Sequence, residues 1–340
     1  MNGYADAERT ELEHRLLTYA QAKELGGQTV SSVVVEGRAG EGDSLENWLF
    51  GVVRNGIEER CVLRRNGPTV ARQSNRRREF QLLSRLQGSG LPIPRVDWLD
   101  ETGEHFGRAG FTMERCEGVA DLMALTPANR FGWDEETRLS LALRFTQLMA
   151  QIHGLDWRAL GLGEVLDVPT VPIAEARLQT ILDEIERDRL EPYPEIDETV
   201  DWLQQRFPTH GDLVLTHGDF RVVQALLSPD AQIRALLDWE FARLSDPVEE
   251  LAHFLMPPMA PIHTIAGVWE AEDFIRDYEA ATGTRVDRTS LQWWRVLNML
   301  WVVSFMLHTL RGIVENTVNG IRTHSFVSRL LGMLLSLTHP

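Results

Sequence analysis

The sequence predicts an α+β protein, a β-rich N-terminal part followed directly by a mostly helical C-terminal part. Three observations carry this. Short runs rich in β-branched and aromatic residues, set between glycine turns, crowd the stretch from Val30 to Glu114. Long amphipathic runs dominate from about Gly118 onward. The charge divides along the same line: 16 basic and 17 acidic residues through Arg115, then 18 basic and 33 acidic from Cys116. With 43% hydrophobic and 25% charged residues, the whole chain can fold, which excludes a disordered or collagen-like protein. The 340 residues suit one large or two ordinary domains, expected here as 1–116 and 117–340.

The elements follow in order. Glu8 to Leu25 reads as an amphipathic helix stopped by Gly26-Gly27. Val30–Glu36, Trp48–Val53 and Arg60–Arg65 read as strands, the last two joined through a turn at Asn55-Gly56. Arg76–Leu86 is a helix with an expected apolar face of Phe80, Leu83 and Leu86. Strands Val96–Leu99 and Gly110–Glu114 follow. Then come helices at Glu135–Ile152, Ile173–Leu190 and Ile196–Arg206, and a β-like block from Leu213 to Asp238. Helices at Phe274–Ala281, Ser290–Asn316 and Ile321–Thr338 close the chain. A β-rich lobe leading into a helical one is a two-lobed enzyme architecture.

Composition removes several functions. A formal net charge of −16 argues against a nucleic-acid partner held by its backbone. Acidity by itself also reads simply as a solubility device. Two cysteines, Cys61 and Cys116, cannot build a disulfide framework or a cysteine zinc site. Met1 to Lys23 is charged throughout, and the longest apolar run, Val296 to Leu310, carries Asn298, Ser304 and His308 and is shorter than the about 20 residues of a membrane span. The expectation is a cytoplasmic protein without a membrane partner. The 34 basic residues are 33 arginines and Lys23, so a Gly-Lys-Ser/Thr phosphate loop is absent. Any phosphate clamp must use Lys23 or an arginine.

The chemistry concentrates in one block. The apolar run Leu213-Val-Leu-Thr feeds His217-Gly218-Asp219, and Gln224 follows. A second apolar run, Ile233 to Leu237, ends at Asp238 and leads to Trp239-Glu240. Two strand ends would bring two carboxylates and an amide oxygen to one place. Phosphoryl transfer asks for such a set: a carboxylate near an acceptor hydroxyl and hard oxygen ligands for Mg²⁺. A second His-Gly-Asp at His210–Asp212 follows Pro208-Thr209 rather than an apolar strand and reads as a decoy. Taken singly, Arg64 reads as a surface charge and Glu79, beside three arginines, as a solvated salt bridge. Cys116 reads as a small buried hydrophobe, His153 as structural, and Trp293, Trp294 and Trp301 as core.

In this order the motifs resemble the aminoglycoside phosphotransferase-like small-molecule kinases, which share the protein-kinase fold. The family's His-x-Asp-x-x-x-x-Asn loop corresponds to His217 through Gln224, and its metal-binding aspartate to Asp238. Ser245-Asp246-Pro247 through Glu250-Leu251 resembles its Gly-Asp-Pro-x-x-Asp-Leu helix start. Gly42-Asp-Ser44 through Trp48 resembles the turn over the nucleotide phosphates. Val62-Leu63-Arg64 resembles the strand bearing the phosphate-binding lysine, here arginine, and Glu79 the helix glutamate that pairs with it. Phe111 through Gly118 resembles the hinge that receives adenine, on Met113, Glu114, Arg115 and Cys116.

The resemblance implies ATP-dependent O-phosphorylation of a small-molecule hydroxyl. Asp219 would serve the acceptor, Arg221 would brace the loop or neutralise transferred charge, Gln224 and Asp238 would hold Mg²⁺, and Glu240 would touch substrate. Glu250 replaces the family's aspartate and reads as structural. The acidic second part suits a cationic acceptor, while the wider family also takes sugars, macrolides and hydroxyacyl thioesters. Gln224 departs from the family's asparagine by one methylene. That departure keeps a second reading open: a weak or inactive nucleotide-binding pseudokinase acting as a regulatory or interaction module. Oligomeric state and nucleotide preference are not legible.

Overall fold

A computed structural model describes residues 2–22, 29–39, 45–67, 75–209, 211–315 and 323–338. The chain divides into two compact units, Met1–Gln87 with Ile93–Glu117, and Gly88–Pro92 with Gly118–Pro340.

The first unit opens with helix α1 (Asn2–Ala22), which starts before the expected Glu8; Lys23 to Leu25 lie outside the described residues. Strands β1 (Val30–Ala39), β2 (Leu45–Arg54) and β3 (Ile57–Asn66), helix α2 (Arg76–Leu86), and strands β4 (Val96–Asp100) and β5 (Gly110–Glu114) complete it. The strands form one antiparallel sheet in the order β1-β2-β3-β5-β4. Asn55 and Gly56 both carry positive φ, 51° and 79°, and close the β2–β3 hairpin as a two-residue turn whose twist matches the strands. Every second residue of β2, from Glu46 to Arg54, is buried. Trp48, Phe50 and Val52 of that face pack with Leu12, Leu16 and Tyr19 of α1. Helix α2 begins where Asn75 accepts the Arg78 N–H at 3.1 Å. Its inner face is Leu82, Leu83 and Leu86, preceded by Arg76 and Glu79, while Phe80 is half-buried. The expected apolar face is therefore rotated, because a charged pair shares the buried side of the helix.

The second unit contains helices α3 (Glu135–His153), α4 (Ile173–Asp188) and α5 (Pro194–Gln204), then short strands β6 (Val214–Thr216), β7 (Ala225–Leu227), β8 (Ile233–Leu236) and β9 (Arg243–Ser245). Helices α6 (Pro247–Phe254), α7 (Ala260–His263), α8 (Ala271–Thr282), α9 (Arg288–Val314) and α10 (Thr323–Thr338) follow. β6 pairs with β9, and β7 with β8, as separate two-stranded ladders. Helix α9, at 27 residues, is longer than its apolar run suggested and reaches the length and apolarity of a membrane span. Half of its apolar window is nevertheless buried, and it packs on α4, α5, α6 and α10. Three of its polar groups find partners there: Trp293 Nε1 donates to Leu203 O at 2.9 Å, Asn298 Nδ2 to Glu249 O at 2.9 Å, and Ser304 Oγ to Glu184 at 3.0 Å.

Candidate active site

In the first unit, period-two alternation along β3 sends Arg64 and Arg65 to opposite faces. Arg65 is consumed structurally by Glu46 at 2.7 Å, the Phe106 carbonyl at 2.9 Å and Glu8 at 2.6 Å. Arg64 is 6% exposed and pairs through Nε with Glu79 Oε1 at 3.2 Å; Glu79 is 3% exposed. Neither is the surface charge that each suggested singly. Arg76, one turn before Glu79 on α2, binds its other carboxylate oxygen and reaches Asn66 Oδ1 at 3.2 Å. One buried carboxylate thus holds two guanidiniums, and the sequence reading named only Arg64.

The residues expected to form the hinge lie at the end of β5. Met113 is buried, and the Glu114 and Arg115 amides donate to Arg95 O at 2.7 Å and Arg60 O at 3.0 Å. Those bonds leave Cys116 as the first hinge residue outside the ladder. The Arg115 guanidinium is tied to Glu36 at 2.7 Å. Cys116 is half-buried rather than buried, and desolvation pushes its thiol up to about 11. Gly42 and Ser44 lie outside the described residues.

In the second unit, β6 delivers His217-Gly218-Asp219 into a loop gripped from several sides. Gly218 has φ 83°, and a Cβ there would collide with the Phe241 carbonyl, so the position requires glycine. His217 Nε2 donates to Leu237 O at 2.8 Å, while its Nδ1 accepts the Asp219 N–H at 3.3 Å, a mutually consistent tautomer. Glu250, fully buried on α6, accepts the His217 N–H at 3.1 Å and the Gly218 N–H at 2.7 Å. Behind it, His153 Nε2 meets Glu250 Oε2 at 3.0 Å and His153 Nδ1 meets the Tyr278 hydroxyl at 2.7 Å. Burial would raise the Glu250 carboxyl, but the His153 hydrogen bond and the loop amides hold it below its ordinary value.

Asp219 is 6% exposed, and both of its carboxylate oxygens accept hydrogen bonds. Arg221 and Gln224 Nε2 donate to Oδ2, each at 2.6 Å, and His253 Nε2 of α6 meets Oδ1 at 3.1 Å. Burial alone would raise this acid; the His253 bond, with the Arg221 charge beside it, drives it well below the usual carboxylate range. These donors favour the ionised form of the acid.

The β7–β8 ladder brings the other oxygen donors to one end. Ala225 faces Leu236, and the Leu237 N–H donates to Gln224 O at 2.9 Å, so Gln224 and Asp238 flank the same ladder terminus. Asp238 takes a left-handed conformation (φ 70°, ψ 50°), uncommon for a residue other than glycine and typical of functional turns. It is half-buried, as is Glu240 on the turn that follows. A carboxylate and an amide are hard donors that suit Mg²⁺. Among the described residues no three His, Cys, Asp or Glu side chains converge, so an ion here would complete its shell with phosphate oxygens and water.

Sequence reasoning missed His253. Its only signal is the spacing Glu250-x-x-His253, which puts both on one face of α6. Trp301, read as core, is half-buried, its ring 5.7 Å from that of His253 and 5.4 Å from that of Phe241. Trp293 and Trp294 are core. In the decoy motif, Gly211 and Asp212 are exposed and His210 lies outside the described residues.

The sequence model described as "Phosphotransferase enzyme family" matches residues 34–294. The mouse protein acyl-CoA dehydrogenase family member 10 is 27% identical over 217 residues, 59% of this chain but 20% of that protein. This chain thus spans about a fifth of that relative's length. Among solved structures, a Ralstonia eutropha protein provisionally assigned as an aminoglycoside phosphotransferase superposes with a TM-score of 0.77 at 21% identity, covering 96% of this chain and 97% of that one. A thermostable mutant of an aminoglycoside phosphotransferase, crystallised with ADP and hygromycin B, gives a TM-score of 0.61 at 18% identity, over 97% and 98%. These likenesses establish the α+β, protein-kinase-like fold.

Proposed function

Because the chain belongs to the phosphotransferase enzyme family, we propose that it transfers the terminal phosphoryl group of ATP to a hydroxyl of a small molecule. The observation that carries the reading is the Asp219 carboxylate, buried at a strand end and held ionised by His253, Arg221 and Gln224. A fixed anion of this kind orients the acceptor hydroxyl by accepting its hydrogen bond, and receives its proton as the new oxygen–phosphorus bond forms and the bond from that phosphorus to the leaving ADP oxygen breaks. Arg221, part-exposed, is available to exchange Asp219 for the charge spread over the transferring phosphoryl oxygens. Arg64, steadied by Glu79, is the phosphate-binding fork of the first unit. Mg²⁺, when bound, supplies charge neutralisation at the phosphates, and Asp238 with Gln224 would hold it. Use of a purine nucleotide is supported by structural relatives crystallised with ADP or with GDP.

Two clues bear on the acceptor and point apart. The acidic C-terminal part favours a cationic alcohol such as an amino alcohol or aminoglycoside. The mouse relative, an acyl-CoA dehydrogenase family member, favours a hydroxyacyl thioester. The test is ADP release with Mg²⁺ over a panel of amino alcohols, aminoglycosides, macrolides, sugars and hydroxyacyl thioesters. Acceptor-dependent release supports the reading. A melting temperature raised by ATP and Mg²⁺, with no release for any acceptor, would instead favour the pseudokinase that Gln224 leaves open.

A further inference from the structure

We propose that His253 is the positioning residue for Asp219, setting the direction in which that carboxylate faces the acceptor hydroxyl; the inference rests on the phosphotransfer reading above. The three donors on Asp219 are not equivalent. Arg221 and Gln224 belong to the same loop and both bind Oδ2, so they travel with the aspartate. His253 comes from α6 and, alone among the described residues, binds Oδ1, so it refers the carboxylate to a separate element.

The helix is built for that task. Asp246 caps it, accepting the Val248 N–H at 2.8 Å. Glu249 anchors it through Arg177 at 2.9 Å and Arg243 at 2.7 Å, and Asn298 of α9 donates to the Glu249 carbonyl at 2.9 Å. Glu250 and His253 then lie one turn apart on a single face. Glu250 takes the loop's backbone N–H groups and His253 takes its carboxylate, so one helical turn fixes both the path of the loop and the aim of its side chain.

The imidazole is itself fixed. His253 is 4% exposed, and Trp301 packs edge-on against it with ring centroids 5.7 Å apart. Its Nδ1 is buried and has no hydrogen-bond partner among the described residues. A proton on Nδ1 would leave a buried donor unsatisfied and turn a lone pair toward Asp219, so the proton sits on Nε2 and is donated to the carboxylate. Without it, Asp219 keeps donors on one oxygen only and can turn about its side-chain bonds. A misplacement of about 1 Å costs on the order of 100-fold in rate.

Two variants of the full chain test this, His253→Leu and His253→Gln, the second retaining an N–H donor on a side chain of similar reach. His253→Leu should lower kcat by about 100-fold while KM for ATP moves less than about 2-fold, and His253→Gln should recover most of the loss. Parent-like kcat in His253→Leu overturns the proposal. So does an equal loss in both variants accompanied by weaker ATP binding and lower melting temperature, the mark of a merely structural histidine. If the parent releases no ADP with any acceptor, the phosphotransfer reading has failed, and the contact is read by ¹⁵N-histidine NMR instead. The imidazole N–H signal that disappears in His253→Gln must shift in Asp219→Asn; a signal that stays put overturns the contact.

Discussion

Gln224 donates its side-chain amide to the same Asp219 oxygen that Arg221 holds, at 2.6 Å. The residue standing where the family has asparagine is therefore committed, through its nitrogen, to the loop carboxylate. Its amide oxygen points away along the other branch of the same planar group. That oxygen is the hard donor that the proposed metal role would use.

Gln224→Ala should consequently show two defects where a simple metal ligand would show one. Turnover should fall by about 10-fold from the loosened Asp219, and the Mg²⁺ concentration needed for half-maximal rate should rise. Gln224→Asn should keep its metal response close to the parent's. ADP release against Mg²⁺ concentration measures all three proteins. Superimposable curves would show that Gln224 neither holds metal nor positions Asp219.

Asp219→Asn should leave nucleotide affinity unchanged by calorimetry and reduce turnover by about 10²- to 10⁴-fold, since the carboxylate serves the acceptor. Equal activity would remove Asp219 from the chemistry. Loss of ATP binding in a protein that still melts cooperatively would move its role to the nucleotide.

Arg64→Ala should weaken ATP by a factor corresponding to about 2–5 kcal/mol, because phosphates would lose a charged fork. The fold should suffer less, since Arg76 continues to neutralise Glu79 from the other side. Calorimetry and thermal melting separate the two effects. Unchanged affinity would leave Arg64 a buried structural charge.

Local signals were legible and distant ones were not. Helix α2 begins and ends where expected, at Arg76 and Leu86, and the structure adds the Asn75 cap that the sequence reading did not use. The His217-Gly218-Asp219 loop was readable because an apolar strand runs straight into a glycine that only a tight backbone needs. Arg76 was counted with its neighbours as solvated charge; nothing in a run of three arginines tells which one an adjoining sheet will bury. His253 reaches Asp219 across 34 residues, and α6 is only 8 residues long, too short for periodicity to declare its inner face. Trp301 shows the same limit, since helical spacing cannot say that a tryptophan lies half-open beside a histidine.

The buried Glu249 cluster gives a pH dependence with a definite sign. Burial by itself would raise this carboxyl, but Arg177 and Arg243 hold it down at about 2, against 4.5 for a free glutamate. A depressed carboxyl contributes stability above its unfolded value, and that contribution is lost as pH falls through the folded one. Melting temperature should therefore decline between pH 4.5 and about 2. Glu249→Gln should melt lower at neutral pH, with a shallower decline on acidification. An unchanged slope would show that other acids govern this window.

Glu250 offers the sharpest separation of loop geometry from charge. Its carboxylate accepts N–H groups from His217 at 3.1 Å, Gly218 at 2.7 Å and His153 at 3.0 Å. Glu250→Gln keeps the size and one acceptor oxygen but points an NH₂ group at a donor that previously found an acceptor. The buried donors left facing it should cost about 1–3 kcal/mol of stability. The loop should shift with them, lowering kcat by about 100-fold while nucleotide affinity stays near the parent's. Tyr278→Phe, which removes only the outer hydroxyl on His153, should cost far less in both readouts. Thermal melting, calorimetric ATP binding and ADP release on the same preparations check the set. A Glu250→Gln protein that turns over like the parent would show that the loop keeps its geometry without this brace, and that Asp219 is aimed from α6 through His253 alone.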